Sequence, residues 1–175
     1  MYRQSRPIIL PKPLESGFTL IELMVVTVLL AIILSIGIPN YISLLERNRT
    51  TATANEILGA LQYARNEAVR SNSTAQFCPS SDAVTCAANW PATGGNWIVL
   101  RIPADPDDPM NVLPAQLMRV GNVVETVTIT GPILVEFGSA GQITGPISNI
   151  NVVSGESSRC VLLTLSGAAQ VGGCG

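Results

Sequence analysis

Four cysteines, one carboxylate set inside an apolar run and a complete lack of histidine are the features of this 175-residue sequence that bear on chemistry. Without histidine there is no Ser-His-Asp or Cys-His relay, and the commonest zinc ligand is missing. Cys78, Cys86, Cys160 and Cys174 all lie beyond the apolar run. Their even number suggests two disulfides made in an oxidising compartment. Three pairings are open to four cysteines, and Cys78–Cys86 with Cys160–Cys174 is favoured because each closes a short local loop. Neither pair has the C-x-x-C spacing of a zinc site. Ser80, Ser81 and Asp82 have no general base beside them and read as turn chemistry. Asp105, Asp107 and Asp108 sit in the proline-rich stretch 103–114, without the spacing or closing glutamate of an EF-type calcium loop. That stretch reads as a solvated loop. The sequence calls for no catalytic residue, no metal and no cofactor.

The remaining chemical oddity is Glu22. It is the one charge in FTLIELMVVTVLLAIILSIGI, residues 18–38. As a helix this segment is roughly 30 Å long, enough to cross a bilayer core. Ahead of it, residues 1–17 carry Arg3, Arg6 and Lys12 against Glu15, with prolines at 7, 11 and 13 that disfavour a stable helix. Positive charge on that side predicts a cytoplasmic N-terminus and an exported remainder. A secretory signal fits poorly, because the run is long for its apolar region and no small-x-small cleavage site clearly follows. A plain membrane anchor explains the apolar run and leaves Glu22 unexplained. A carboxylate near a bilayer centre costs about 2.5–3.5 kcal/mol, which marks it as a functional candidate.

The residues GFTLIELMVV at Gly17–Val26 resemble the class III leader motif shared by type IV pilins and type II secretion pseudopilins. The resemblance implies cleavage by a prepilin peptidase between Gly17 and Phe18 and N-methylation of Phe18 as the new first residue. It also implies that Glu22 neutralises the amino terminus of a neighbouring subunit during assembly. An ammonium and a carboxylate, each costly alone among apolar helices, offset one another only in the correct docking register. Pro39 is similar to a proline found in many pilin helices, where it kinks or locally melts the stalk.

After Pro39, Ile57, Leu61, Ala64 and Ala68 recur at four- and three-residue spacing and define one buried helix face. Arg47, Arg49, Glu56, Arg65, Glu67 and Arg70 are expected to point mostly to water, and Asn72 with the serines around it to stop the helix. From Ala75 on, short β-prone runs alternate with Gly, Pro, Asn and Asp. Strands are predicted near 75–78, 96–102, 116–120, 123–130, 133–137, 141–144, 149–153, 159–165 and 168–172. Trp90 and Trp97 read as core-filling side chains. The expected architecture is α+β: a long N-terminal helix packed on a small antiparallel sheet, stapled by disulfides. The expected segments are 1–17 leader, 18–39 transmembrane and filament-core helix, 40–72 amphipathic helix, and 73–175 β-rich periplasmic head.

LQYARNEAVRSN at 61–72, CPSSDAVTC at 78–86 and GGNWIVL at 94–100 resemble the GspH/FimT group of minor pilins and pseudopilins, as do FGSAGQIT at 137–144 and RCVLLTLSGAAQVGGC at 159–174. This implies a type IV pilin-like fold and a non-enzymatic subunit of the FimT/FimU kind. Such a subunit takes part in initiating pilus assembly, forms part of the tip complex and supports pilus-dependent motility or adhesion. The implied partners are other minor and major pilins, the prepilin peptidase and the inner membrane. The alternative is a type II secretion pseudopilin of the H class. A third reading, a DNA-binding minor pilin for natural transformation, rests on a basic GRxR-type motif. Here the matching stretch is Gly167-Ala168-Ala169-Gln170, with both arginine positions lost. Arg159 and Arg119 are the residual candidates for a DNA contact in that reading. With a net charge of −2 and no basic cluster, nucleic acid is not an expected partner.

Overall fold

A computed structural model describes residues 17–104 and 113–174. The leader residues 1–16 and the aspartates Asp105, Asp107 and Asp108 lie outside the described residues. The chain divides into two compact units, Met1–Pro39 and Asn40–Gly175.

One helix, α1, runs Leu20–Arg70 and contains Pro39, which has no N–H to give to the carbonyl four residues back. Within the first unit its residues are apolar on all sides, and none from Leu20 to Ile38 is buried. It is long and apolar enough to cross a membrane. Within the second unit the helix turns amphipathic. Thr50, Thr53, Ala54, Ile57, Ala60, Leu61, Ala64, Glu67 and Ala68 are buried at three- and four-residue intervals. The helix closes at Asn72, which adopts φ 47°. The Ser73 amide reaches back to the Ala68 carbonyl at 3.1 Å, the wrap expected of a left-handed helix cap.

Two four-stranded antiparallel sheets complete the head. The first has the order β3-β2-β1-β5, with β1 at Thr74–Ser80, β2 at Gly95–Ile102, β3 at Gln116–Val123 and β5 at Val135–Phe137. The second has the order β4-β6-β7-β8, with β4 at Thr128–Thr130, β6 at Ile150–Ser154, β7 at Ser157–Leu163 and β8 at Ala169–Gly172. The fold is thus α+β, with two sheets where a single one was expected.

One core serves helix and both sheets. Ile57, Leu61 and Ala64 meet Phe77, Trp97 and Val99 of the first sheet and Ile150, Val152 and Val161 of the second. Along β6 buried and half-buried residues alternate, whereas Trp97, Ile98, Val99 and Leu100 of β2 are buried in succession, with Ile98 and Leu100 forming a second small cluster with Cys78. The rings of Phe77 and Trp97 lie 5.7 Å apart in a tilted pair. Gly121, opposite Trp97 in the ladder, makes room for the indole: a Cβ there would fall 1.9 Å from Cζ2. Trp90 is partly buried against the same core, and its indole N–H donates to the Pro132 carbonyl at 3.0 Å.

Two strand expectations need correction. Residues 123–130 are not one strand: β3 ends at Val123 and β4 begins at Thr128. Between them the Val127 amide donates to Val124 O at 2.8 Å, a turn that carries the chain from one sheet to the other. Residues 141–144 form no strand and contribute a single bridge, Ile143 to Phe137.

Candidate assembly site

The features expected to assemble this protein lie at the start of α1. Gly17, Phe18 and Thr19 precede the helix, and Phe18 is 85% exposed. Thr19 is the N-cap: its Oγ1 accepts the amide of Glu22 at 3.2 Å. Glu22 therefore stands at the third helical position of a Thr-x-x-Glu capping pattern, where a carboxylate also faces the positive end of the helix dipole. This local role for Glu22 was readable in the sequence and is compatible with a docking role, because the carboxylate is exposed. Leu20, Ile21, Leu23, Met24, Val25 and Val26 around it are each at least half exposed. A surface this apolar needs lipid or other helices to cover it.

In the head, Cys78 is bonded to Cys86 and Cys160 to Cys174, with Cα atoms 5.6 and 5.1 Å apart. The first bridge closes a turn organised by Asp82. Its Oδ1 accepts the amides of Thr85 at 2.7 Å and Val84 at 2.8 Å, and its Oδ2 accepts the Thr85 hydroxyl at 2.7 Å. Backbone donation from Thr85 and Val84 holds this carboxyl well below the usual carboxylate range. Ser80 donates its hydroxyl within the same turn, 2.7 Å from the Thr85 carbonyl.

The charged residues of α1 are less uniformly solvated than expected. Glu67 is 3% exposed and anchors an ion cluster, with Arg70 Nη2 at 2.7 Å and Arg101 Nη1 at 3.2 Å. The hydrogen bond from Arg70 to Glu67 raises the arginine's pKa. By its charge alone Glu67 points to solvent. Yet it lies three residues beyond Ala64 and seven beyond Ala60, on the buried stripe, which was the signal to find it. Arg65 is likewise committed: Nε donates to Gly141 O and Nη2 to Ser166 O, both at 3.0 Å.

Arg119 and Arg159 fall on different sheets, on β3 and β7. Arg119 places its guanidinium 5.9 Å from the Tyr63 ring centroid and 5.6 Å from that of Trp97. That stacking ties strand to helix. Arg159 is exposed beside Val152 in the ladder. The stretch Gly167–Gln170 forms the turn into β8, where Gly167 N–H donates to Thr164 O at 2.9 Å. A Cβ at Gly167 would fall 1.9 Å from Gly141 O, so that glycine is required by the close approach of two turns.

A family model described as type II transport protein GspH matches residues 53–168, and one for the prokaryotic N-terminal methylation motif matches residues 12–38. No curated protein sequence matches the chain. Among solved structures, the crystal structure of the type IV minor pilin FimU from Pseudomonas aeruginosa aligns with a TM-score of 0.53 at 18% identity. The alignment covers 73% of this chain and 90% of that one. A second crystal form of the same pilin aligns at 17% identity with a TM-score of 0.49, over 70% of this chain and 92% of that one. At such identity the first likeness is one of fold. The family match spans more than half of the sequence, from the amphipathic part of the helix to the turn before β8, so the chain belongs to the GspH family and is a pilin of the GspH/FimT type.

Proposed function

We propose that this protein is a minor type IV pilin of the FimT/FimU kind, which helps to initiate a pilus and sits in its tip complex. The observation that carries the reading is the start of α1: an apolar helix without internal cover, bearing one exposed carboxylate one turn in from Phe18. In the proposed cycle the segment 1–17 is removed after Gly17 and Phe18 is N-methylated. The 18–39 segment then holds the protein in the inner membrane with the head, 73–175, in the periplasm. Assembly moves that helix from lipid into a bundle of pilin helices. There the Phe18 ammonium of one subunit and Glu22 of the next each remove the other's desolvation cost. Pro39 gives the helix a place to bend between anchor and the amphipathic 40–72 segment. Partners are other minor and major pilins, reached through the helix and the exposed parts of the head. The family and fold are those of structural pilins rather than enzymes.

The GspH family description favours a second reading, a type II secretion pseudopilin of the H class, in which the same chemistry builds a short periplasmic piston. DNA binding has little support, because Arg119 is stacked on two rings and Gly167–Gln170 carries no cation. The experiment that separates the readings is co-purification from host membranes. Pilus minor subunits recovered with the wild type, and lost with Glu22→Val at equal membrane abundance, support the minor pilin. Recovery of secretion pseudopilins instead would replace it with the second reading.

A further inference from the structure

Both disulfides of the head are asymmetric in exposure. Cys78 is fully buried and Cys160 is 2% exposed, whereas Cys86 and Cys174 are exposed. Thiol–disulfide exchange requires a thiolate to reach one sulfur, and its rate depends on access and on how well the other sulfur leaves as a thiolate. Access therefore directs attack to Cys86 in one bridge and Cys174 in the other.

The leaving sulfurs differ. Cys78 belongs to an apolar cluster with Ile98 and Leu100, where a thiolate is disfavoured and leaves poorly. Cys160 instead has the side-chain amide of Asn151, its partner across the β6–β7 ladder, with Oδ1 2.7 Å from its sulfur. The same oxygen lies 3.8 Å from Cys174 Sγ. A bridged sulfur carries no proton, so this oxygen has nothing to accept while the disulfide stands. A half-turn of the amide brings its N–H donors to the place of Oδ1, ready for a sulfur anion.

We propose that Cys160–Cys174 is the head's site of thiol–disulfide exchange, opened by thiolate attack on Cys174 Sγ, with Asn151 positioning and stabilising the departing Cys160 thiolate. The incoming sulfur forms a new S–S bond to Cys174, the Cys174–Cys160 bond breaks, and its electron pair leaves on Cys160 Sγ. That thiolate then takes a proton from solvent, and the amide turns back so that the thiol donates to Asn151 Oδ1. No net oxidation occurs, since the attacking thiol is oxidised as Cys160 is reduced. The ladder between β7 and β8, from Cys160–Gly172 to Leu163–Ala169, holds the strand while the bridge is open. The exchange thus needs no unfolding, and Cys160 remains close enough to expel the adduct and restore the bridge.

The test treats the full chain in detergent with reduced glutathione, quenches with an alkylating agent at short times and maps both labels by peptide mass spectrometry. The first-opened species is expected to carry glutathione on Cys174 and the alkyl group on Cys160, with Cys78–Cys86 intact. Asn151→Leu should slow this opening about tenfold, the size of a hydrogen bond to a charged group lost from the leaving sulfur. Near-UV circular dichroism checks that the variant is folded. Glutathione on Cys160, or prior opening of Cys78–Cys86, overturns the proposal through the wild type alone. An unchanged rate in a folded Asn151→Leu variant overturns the role of the amide.

Discussion

Arg101→Met isolates the buried ion cluster that joins the helix to the first sheet. Glu67 is 3% exposed and meets two cations, of which the Arg70 side chain is 73% exposed and that of Arg101 only 26%. Arg70 is four-fifths of a helical turn away on the same helix, so only Arg101 makes the cluster a tertiary contact. Removing one partner of a buried ion pair costs about 3–5 kcal/mol, because the other charge stays buried. The retained contact with exposed Arg70 offsets about 0–1 kcal/mol of that. The expected loss is therefore about 2–5 kcal/mol, or roughly 10 °C in the melting temperature of a head this size. Methionine keeps most of the arginine stem's packing, so the change reports on charge rather than volume. The assay is thermal unfolding of the disulfide-bonded protein in detergent, followed by near-UV circular dichroism. Glu67→Leu combined with Arg101→Met removes both charges and should be more stable than Arg101→Met alone by at least about 1 kcal/mol. A single variant within about 0.5 kcal/mol of the parent, or strict additivity across the cycle, would refute the reasoning.

Other perturbations address the remaining parts of the head. Gly121→Ala puts a methyl 1.9 Å from the Trp97 ring and should cost about 1–3 kcal/mol, with loss of the near-UV signal of Trp97. Gly173→Ala, which meets nothing within 4 Å, serves as its silent control. The lowered pKa of Asp82 means that the folded state prefers its charged form. Its contribution to stability is full above the ordinary aspartate range near pH 4 and is lost as pH falls further, toward the folded value. Asp82→Asn should flatten the acid limb of a urea-midpoint titration, and an unchanged limb would remove the turn from the account. Cys160→Ser with Cys174→Ser opens a loop of sequence separation 14 and should lower stability by about 3 kcal/mol while the head still folds.

The long helix, the disulfide-bearing β region and the pilin-like class were legible because they rest on local signals: an unbroken apolar run, a 3.6-residue stripe and turn residues between β-prone runs. The division into two sheets was not. VVETVTIT at 123–130 contains neither glycine nor proline, so nothing local marks the turn after Val124 that sends the chain to the second sheet. Glu67 and Arg65 were assigned to solvent by residue type. Their partners, Arg101 on β2 and the carbonyls of Gly141 and Ser166, are distant in sequence. Arg119 signals only its charge in the sequence, and the ladder that sets it near Trp97 and Tyr63 reveals a stacking role. At the helix start, the same Thr-Leu-Ile-Glu letters carry a local cap and a proposed docking group.

The proposal that this chain is processed and assembled as a pilin meets its most direct test in intact-mass spectrometry of the protein from host membranes, with and without the prepilin peptidase. The expected mature species starts at N-methylated Phe18 and weighs about four hydrogens less than its fully reduced form, one pair for each disulfide. A chain still starting at Met1 in the peptidase-positive host would contradict processing and leave a single-span membrane protein with a pilin-like head.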